Sequence, residues 1–205
     1  MKKRCLIYIL VLFALPLTLL AKPNLNYYIN TGVAKPIVSS DFKNSYRSGV
    51  HLNVGVGRPI NKRFEGLLNL SFNQLTFDGL GFKTTLEKEN TDSLVINGGP
   101  CNVLNIMIGL KYKFTALTDS KTISYVTVQG GMQQRKTKRI DVFDPNAVYD
   151  TPVPALNLTH GVINVGIGGE MFIENTTLFA ELGLDIAFEE TEKNMVLIFK
   201  FGVKI

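Results

Sequence analysis

The two histidines of the chain, His51 and His160, are its only imidazole bases. With Ser45, Ser48, Asp150 and Glu190 close to them in sequence, they are the residues that could support general-base or nucleophilic hydrolysis. The spacing argues against it: no serine follows His160 at an interval that would set both side chains on one face of a strand. Both histidines sit near the ends of alternating segments, where an imidazole is an ordinary hydrogen-bonding group. The two cysteines, Cys5 and Cys101, form no cluster with histidine at metal-ligand spacing. Gly55 and Gly57 interrupt an alternating run with no helical segment behind them, so they do not form a dinucleotide loop. The residue types therefore point to a protein that is not an enzyme and needs no metal or cofactor.

The elements around these residues are more informative. Lys2, Lys3 and Arg4 precede an apolar run from Cys5 to Ala21, broken by Pro16 and Thr18. That run is too short for a spanning helix and reads as a cleavable signal peptide over residues 1–21. Removing its three cations takes the formal charge from +5 to +2, so the basic balance of the whole chain is no argument for a nucleic-acid partner. One cysteine, Cys101, then remains, which excludes an internal disulfide framework. Residues 22–205 form one domain without a linker or a composition break.

Along that domain a two-residue rhythm recurs in eight segments, at about 25–34, 47–58, 64–77, 102–114, 122–135, 160–171, 177–188 and 195–205. The last is the clearest: Met195, Leu197, Phe199, Phe201, Val203 and Ile205 share one face, while Lys200, Gly202 and Lys204 share the other. Segments of this length suit tilted strands crossing an apolar band of ~25 Å. The connections alternate between short (59–63, 115–121, 172–176) and longer (35–46, 78–101, 136–159), with 189–194 taking the fourth outer position. This predicts an all-β fold, an eight-stranded antiparallel up-and-down transmembrane β-barrel, with both termini and the short turns in the periplasm.

Glycine decides which face is concave. Gly55, Gly57, Gly109, Gly131, Gly166, Gly168, Gly183 and Gly202 all fall on the polar face, and the bulky aliphatic and aromatic residues fall on the other. The crowded interior of an eight-stranded barrel needs small residues, so the polar face points inward and the apolar face toward lipid; a soluble barrel needs the reverse. Tyr27, Phe64, Phe114 and Phe172 at one end, with Phe77 and Phe188 at the other, are expected to form interfacial girdles.

The segments YYINTGVAKPIVSSDF (27–42), HLNVGVGRPINKRFEGLLNLSFN (51–73) and LIFKFGVKI (197–205) resemble the small outer-membrane β-barrel family. The resemblance is to the OmpA/OmpX-type eight-stranded architecture and, in style, to PorT-like outer-membrane barrels of the Bacteroidetes. It covers nearly all of the mature chain and rests on alternation, not on a catalytic signature. It implies the outer membrane of a Gram-negative cell as location, with outer-membrane lipid and lipopolysaccharide as surroundings. It also implies a closing-strand signal, here Phe199, Phe201, Val203 and Ile205, read by the barrel assembly machinery; Ile205 departs from the usual aromatic ending. Some members of this membrane's small barrels modify lipid A, and the PorT likeness implies an accessory role in a secretion or assembly complex.

Inside the barrel, Lys111, Lys113, Lys200 and Lys204 are expected to meet Glu170, Glu181 and Asp185, because charges withdrawn from water need partners. An interior just wide enough for its own side chains excludes a general diffusion pore. Arg135, Lys136, Lys138 and Arg139 open the outer connection at 136–159 as a basic rim facing lipopolysaccharide, and the acidic, proline-containing stretch beyond them is read as a solvated loop. The expected function is non-enzymatic: outer loops that bind a surface or an envelope protein partner.

Overall fold

The computed structural model describes residues 25–38, 40–86, 94–114, 121–143, 152–173, 176–189 and 193–205. The expected signal peptide, Asp150 and Glu190 lie outside the described residues. Eight strands form one closed barrel: β1 (Asn26–Val38), β2 (Tyr46–Pro59), β3 (Phe64–Phe77), β5 (Cys101–Lys113), β6 (Thr122–Lys136), β8 (Asn157–Ile173), β9 (Thr176–Phe188) and β10 (Lys193–Lys204). Every neighbouring pair is antiparallel, and β1 closes the sheet against β10. Two short helices, α1 (Ser40–Ser45) and α2 (Gly79–Lys83), and a two-stranded ribbon of β4 (Val95–Asn97) and β7 (Asp141–Phe143) stand at the end opposite the short turns.

Alternation sets the faces as the sequence predicts. Ile108, Ile167 and Val128 on the outside are 62%, 59% and 55% exposed, while Asn105, Glu65 and Thr127 on the inside are 0–1% exposed. Outward apolar residues recur on every barrel strand, so they make a continuous belt rather than a patch. No packing within this chain removes that belt from water; lipid does. Tyr27, Phe64, Phe114 and Phe172 are exposed at the short-turn end, at the level where aromatic rings favour an interface.

The structure departs from simple alternation at the other end. Tyr46 shares parity with outward Val50 and Leu52, yet it is buried, because a bulge between Arg47 and Gly49 turns the strand over. Phe77 joins Tyr46 and Phe82 in edge-on and tilted ring contacts instead of an outer girdle. Strand β1 runs on to Val38 and β8 starts at Asn157, so the barrel wall on these strands is taller than the alternating segments alone. Pro36 is tolerated because pairing of β1 with β2 ends at Ala34, and the ladder to β10 shifts between Pro36 and Val38.

The connections over 78–101 and 136–159 are not simply solvated loops. Phe82, Leu94, Ile140 and Val142 form a small core, with Phe77, Leu86, Ile96 and Val153 packed against it. This core lies beneath the β4–β7 ribbon, whose Ile96–Val142 register pair points into it.

Replacing Ile108 with Arg near the middle of β5 is expected to cost ~2–4 kcal/mol, and replacing Ile173 with Arg at a strand end about 0–1 kcal/mol. Urea unfolding of the barrel in lipid vesicles reads both values, and equal costs would contradict a lipid belt.

Candidate functional site

The lumen is the place where chemistry-bearing residues converge. At the short-turn end, Lys111 is 3% exposed at its side chain and meets Glu170 Oε1 at 2.6 Å. Its ammonium also donates to the Tyr28 hydroxyl at 3.1 Å and lies 4.4 Å and 4.3 Å from the ring centroids of Tyr28 and Tyr125. A cation between two aromatic faces in a dry site is held by both rings as well as by its carboxylate. Lys204 reaches Glu170 Oε2 at 2.9 Å. Lys113 pairs with Glu65 Oε2 at 2.9 Å and stands 3.9 Å from Glu170. Glu65 also accepts hydrogen bonds from the Tyr28 hydroxyl and the Asn26 amide, each at 2.6 Å.

Midway along the lumen Lys200 meets Glu181 at 2.8 Å, and Thr127 donates to the same carboxylate at 3.1 Å. Beside them runs a chain of amides: Asn69 donates to Gln129 at 2.5 Å, Gln129 to Asn164 at 3.2 Å, and Asn164 to Asp185 at 2.7 Å. Asn105 supplies Asp185 with a second donor at 2.9 Å. The expected group of Lys111, Lys113, Lys200, Lys204, Glu170, Glu181 and Asp185 thus lies inside, with one difference in pairing: Asp185 is held by amides instead of a lysine.

Glu65 is the carboxylate that the sequence reading passed over, and it completes a formal balance of four lysines against four carboxylates. Its parity was the available signal, because it falls on the same face of its strand as Asn69 and Ser71. Glycines make the room: a Cβ at Gly57 would meet the Glu65 carboxylate and the Tyr28 ring, and one at Gly166 would meet Glu181 and Thr127.

Toward the other end the filling turns apolar. Ala34, Phe42, Tyr46, Leu75, Cys101, Val103, Val196 and Ile198 form one buried cluster across the mouth. Arg135 does not face lipid headgroups as the sequence reading had it. Its guanidinium turns inward, spans both oxygens of Glu189 at 2.8 Å and 3.0 Å, and rests 4.9 Å from the Phe42 ring. Of the remaining rim residues, Lys136 and Lys138 are exposed and Arg139 pairs with Asp141 at 2.6 Å. At the same rim Arg47 Nε donates to Asp78 at 2.6 Å, which holds the Asp78 carboxyl below the usual aspartate range.

The two imidazoles are engaged by amides. His51 Nδ1 lies 2.6 Å from Asn73 Oδ1, and His160 Nε2 lies 2.7 Å from Gln133 Oε1, with Glu189 at 3.8 Å. The Ser45 hydroxyl donates to the Asp41 carbonyl at 2.5 Å, a local helical contact, so it is not poised against either ring. A cleft of about 280 Å³ opens above the apolar cluster between Phe42, Phe82, Val153 and Leu156, its floor closed by the Arg135–Glu189 pair.

Replacing Glu170 with Gln leaves Lys111 and Lys204 facing each other without their shared carboxylate. Denaturant unfolding is expected to show a loss of ~3–5 kcal/mol, as for other broken buried pairs. The double substitution Glu170→Gln with Lys111→Met is expected to recover part of that loss, and an additive result would mean that the two groups do not interact.

No family model and no curated protein matches this chain. Among solved structures it is similar to Neisserial surface protein A, at 13% identity and TM-score 0.58, over 88% of this chain and 96% of that one. It is also similar to a major outer membrane protein from Thermus thermophilus, at 11% identity and TM-score 0.52, over 88% and 98% of the two chains. The fold of this chain is that of the small eight-stranded outer-membrane β-barrels.

Proposed function

We propose that this protein is a non-conducting barrel of the outer membrane of a Gram-negative cell. In this reading it is exported by its signal peptide, and its longer connections act outside the cell in surface binding or in contact with an envelope protein. The observation that carries this reading is the state of the lumen. Paired charges and amides fill it, the internal space among Tyr28, Asn30, Lys111 and Glu181 amounts to about 20 Å³, room for about one water, and the apolar cluster lies across the mouth. A barrel that transports nothing through its centre offers its surfaces to act with.

The outer end supplies such a surface. Leu80, Val95 and Phe143 are 71%, 59% and 51% exposed there, on elements whose opposite sides are packed into the small loop core. Exposed apolar residues on a supported ribbon suit a protein partner better than solvent does. Lys136 and Lys138 remain free of the barrel interior to meet anionic lipopolysaccharide. On the closing strand, Phe199, Phe201 and Ile205 face outward, as a signal read by the barrel assembly machinery requires.

Gel mobility of boiled and unboiled protein from an outer-membrane fraction, combined with planar-bilayer recording, tests this reading. The expected result is a heat-dependent mobility shift without stepwise ionic conductance. Steady ohmic channels from the folded protein would overturn the closed lumen, and recovery from the soluble periplasm without a shift would overturn the membrane assignment.

A further inference from the structure

The lipid-facing surface is not evenly filled. Three hollows of about 510 Å³, 530 Å³ and 420 Å³ lie on it, and the first two stand side by side in the half nearer the short turns, next to Arg58. Val56 and Leu68, which are register partners across β2 and β3, line both and form the ridge between them. The first hollow exists because Gly66 faces outward without a side chain. A Cβ there would come no nearer than 3.9 Å to the Arg58 carbonyl or to Ile60 Cδ1. Gly66 pairs with Arg58 on one side and Leu110 on the other, so the notch opens between a cation and an aliphatic wall.

The notch is joined to a cluster of positive charge. Arg58 is exposed and lines the first hollow, and the β2–β3 turn that follows brings exposed Lys62 and Arg63 with no acidic residue between Arg58 and Phe64. Among the described residues none of these three cations makes an ion pair, whereas the inward lysines all do. The turn is rigidly built: Asn61 Oδ1 accepts the backbone amides of Arg63 and Phe64, both at 2.8 Å, and the amides of Ile60 and Asn61 donate to the Phe64 carbonyl. Phe64, Tyr112 and Phe114 pack beside it in tilted and edge-on contacts with ring centroids 5.1 Å and 5.5 Å apart, which suits a turn at headgroup depth. The other two short turns do not repeat the pattern, since 115–121 carries Asp119 beside Lys121 and 174–175 carries Glu174.

Charge complementarity and the paired hollows select the occupant. Three exposed cations attract an anionic headgroup, and guanidinium groups match phosphate oxygens in a fork. Of the three hollows, the two that share Val56 and Leu68 lie nearest Arg58, and together they give room for two acyl chains below one headgroup. We propose that this face binds one anionic diacyl glycerophospholipid of the periplasmic leaflet, its phosphate held by Arg58, Lys62 and Arg63 and its chains laid on either side of the Val56–Leu68 ridge. The assignment rests on the outer-membrane reading above, with the short turns in the periplasm.

Native mass spectrometry of the full barrel, released from detergent with added dioleoyl-phosphatidylglycerol or dioleoyl-phosphatidylcholine, tests it. The chains are identical, so a difference reports the headgroup. The expected result is one retained phosphatidylglycerol at about ten-fold or higher preference, falling with salt, since each nearby cation contributes roughly a five-fold gain beside an anionic surface. The triple variant Arg58→Gln, Lys62→Gln, Arg63→Gln is expected to lose the preference, and Gly66→Leu to reduce retention of both lipids by filling the notch. Equal retention of the two lipids, a preference that survives the triple variant, or undiminished retention by Gly66→Leu would each overturn the site. Boiled and unboiled mobility on the same preparations separates the two readings. A shift with equal lipid retention overturns this site alone, and absence of the shift in the unsubstituted protein overturns the barrel reading with it.

Discussion

Closure of the sheet is the constraint on which the rest depends. Within hydrocarbon every backbone N–H and C=O must find its partner inside the protein, so an open edge is not tolerated. Here β1 and β10 meet along a ladder from Tyr28–Lys204 to Val38–Met195, and Tyr27 and Ile205 exchange backbone hydrogen bonds at 2.8 Å and 3.0 Å beyond it. Pairing up to the last residue is therefore part of the seam. Closing with eight strands also sets the bore, and a bore of that size must be filled by the chain's own side chains.

What fills it follows from the same exclusion of water. A lysine inside such a wall has no bulk solvent to return to, and Lys111 is accordingly held by a carboxylate, a phenol hydroxyl and the rings of Tyr28, Tyr125 and Phe179. Glu170 serves Lys111 and Lys204 through different oxygens, so removing one member disturbs several strands at once. The residues concerned come from β3, β5, β8 and β10, which makes the ion cluster a brace across the barrel rather than a local pair. Toward the outer end, polar filling gives way to an apolar cluster that includes Leu75, Val103 and Ile198.

Much of this architecture was legible in the sequence because the alternation is regular where lipid faces it. Leu104, Ile106 and Ile108 against Asn105, Met107 and Gly109 admit one assignment of faces, and the structure has it. The reading thinned where both faces are apolar or the parity breaks. Val103 precedes Leu104, and Val196, Leu197 and Ile198 run together, so composition alone does not say that Val103, Val196 and Ile198 turn inward. The bulge that turns Tyr46 over has no marker beyond Gly49, and the pairing of β4 with β7 joins three-residue strands from different connections. Arg135 looked like a rim cation because its charge was read without Glu189, which approaches only after β8 and β9 have folded back. Among the site residues, Glu65 was reachable by counting twos from Asn69, whereas the contact of Glu170 with three lysines depends on a register that spacing does not reveal.

Glycine then separates the two surfaces of the wall. Gly57 and Gly166 leave space that the chain itself takes up, with Glu65 and Glu181. Gly66 obeys the opposite logic: it faces lipid, where size is unrestricted and Leu, Ile or Phe would add favourable contact, yet it leaves a space that no side chain enters. A gap on a lipid-facing surface is filled by whatever molecule the membrane supplies, and the cations at its rim bias which molecule that is. Crowding inside accounts for the inward glycines; Gly130, Gly161 and Gly169 also face outward with open space beside them, and Gly66 differs in lining a hollow together with Arg58, a cation without an ion pair among the described residues.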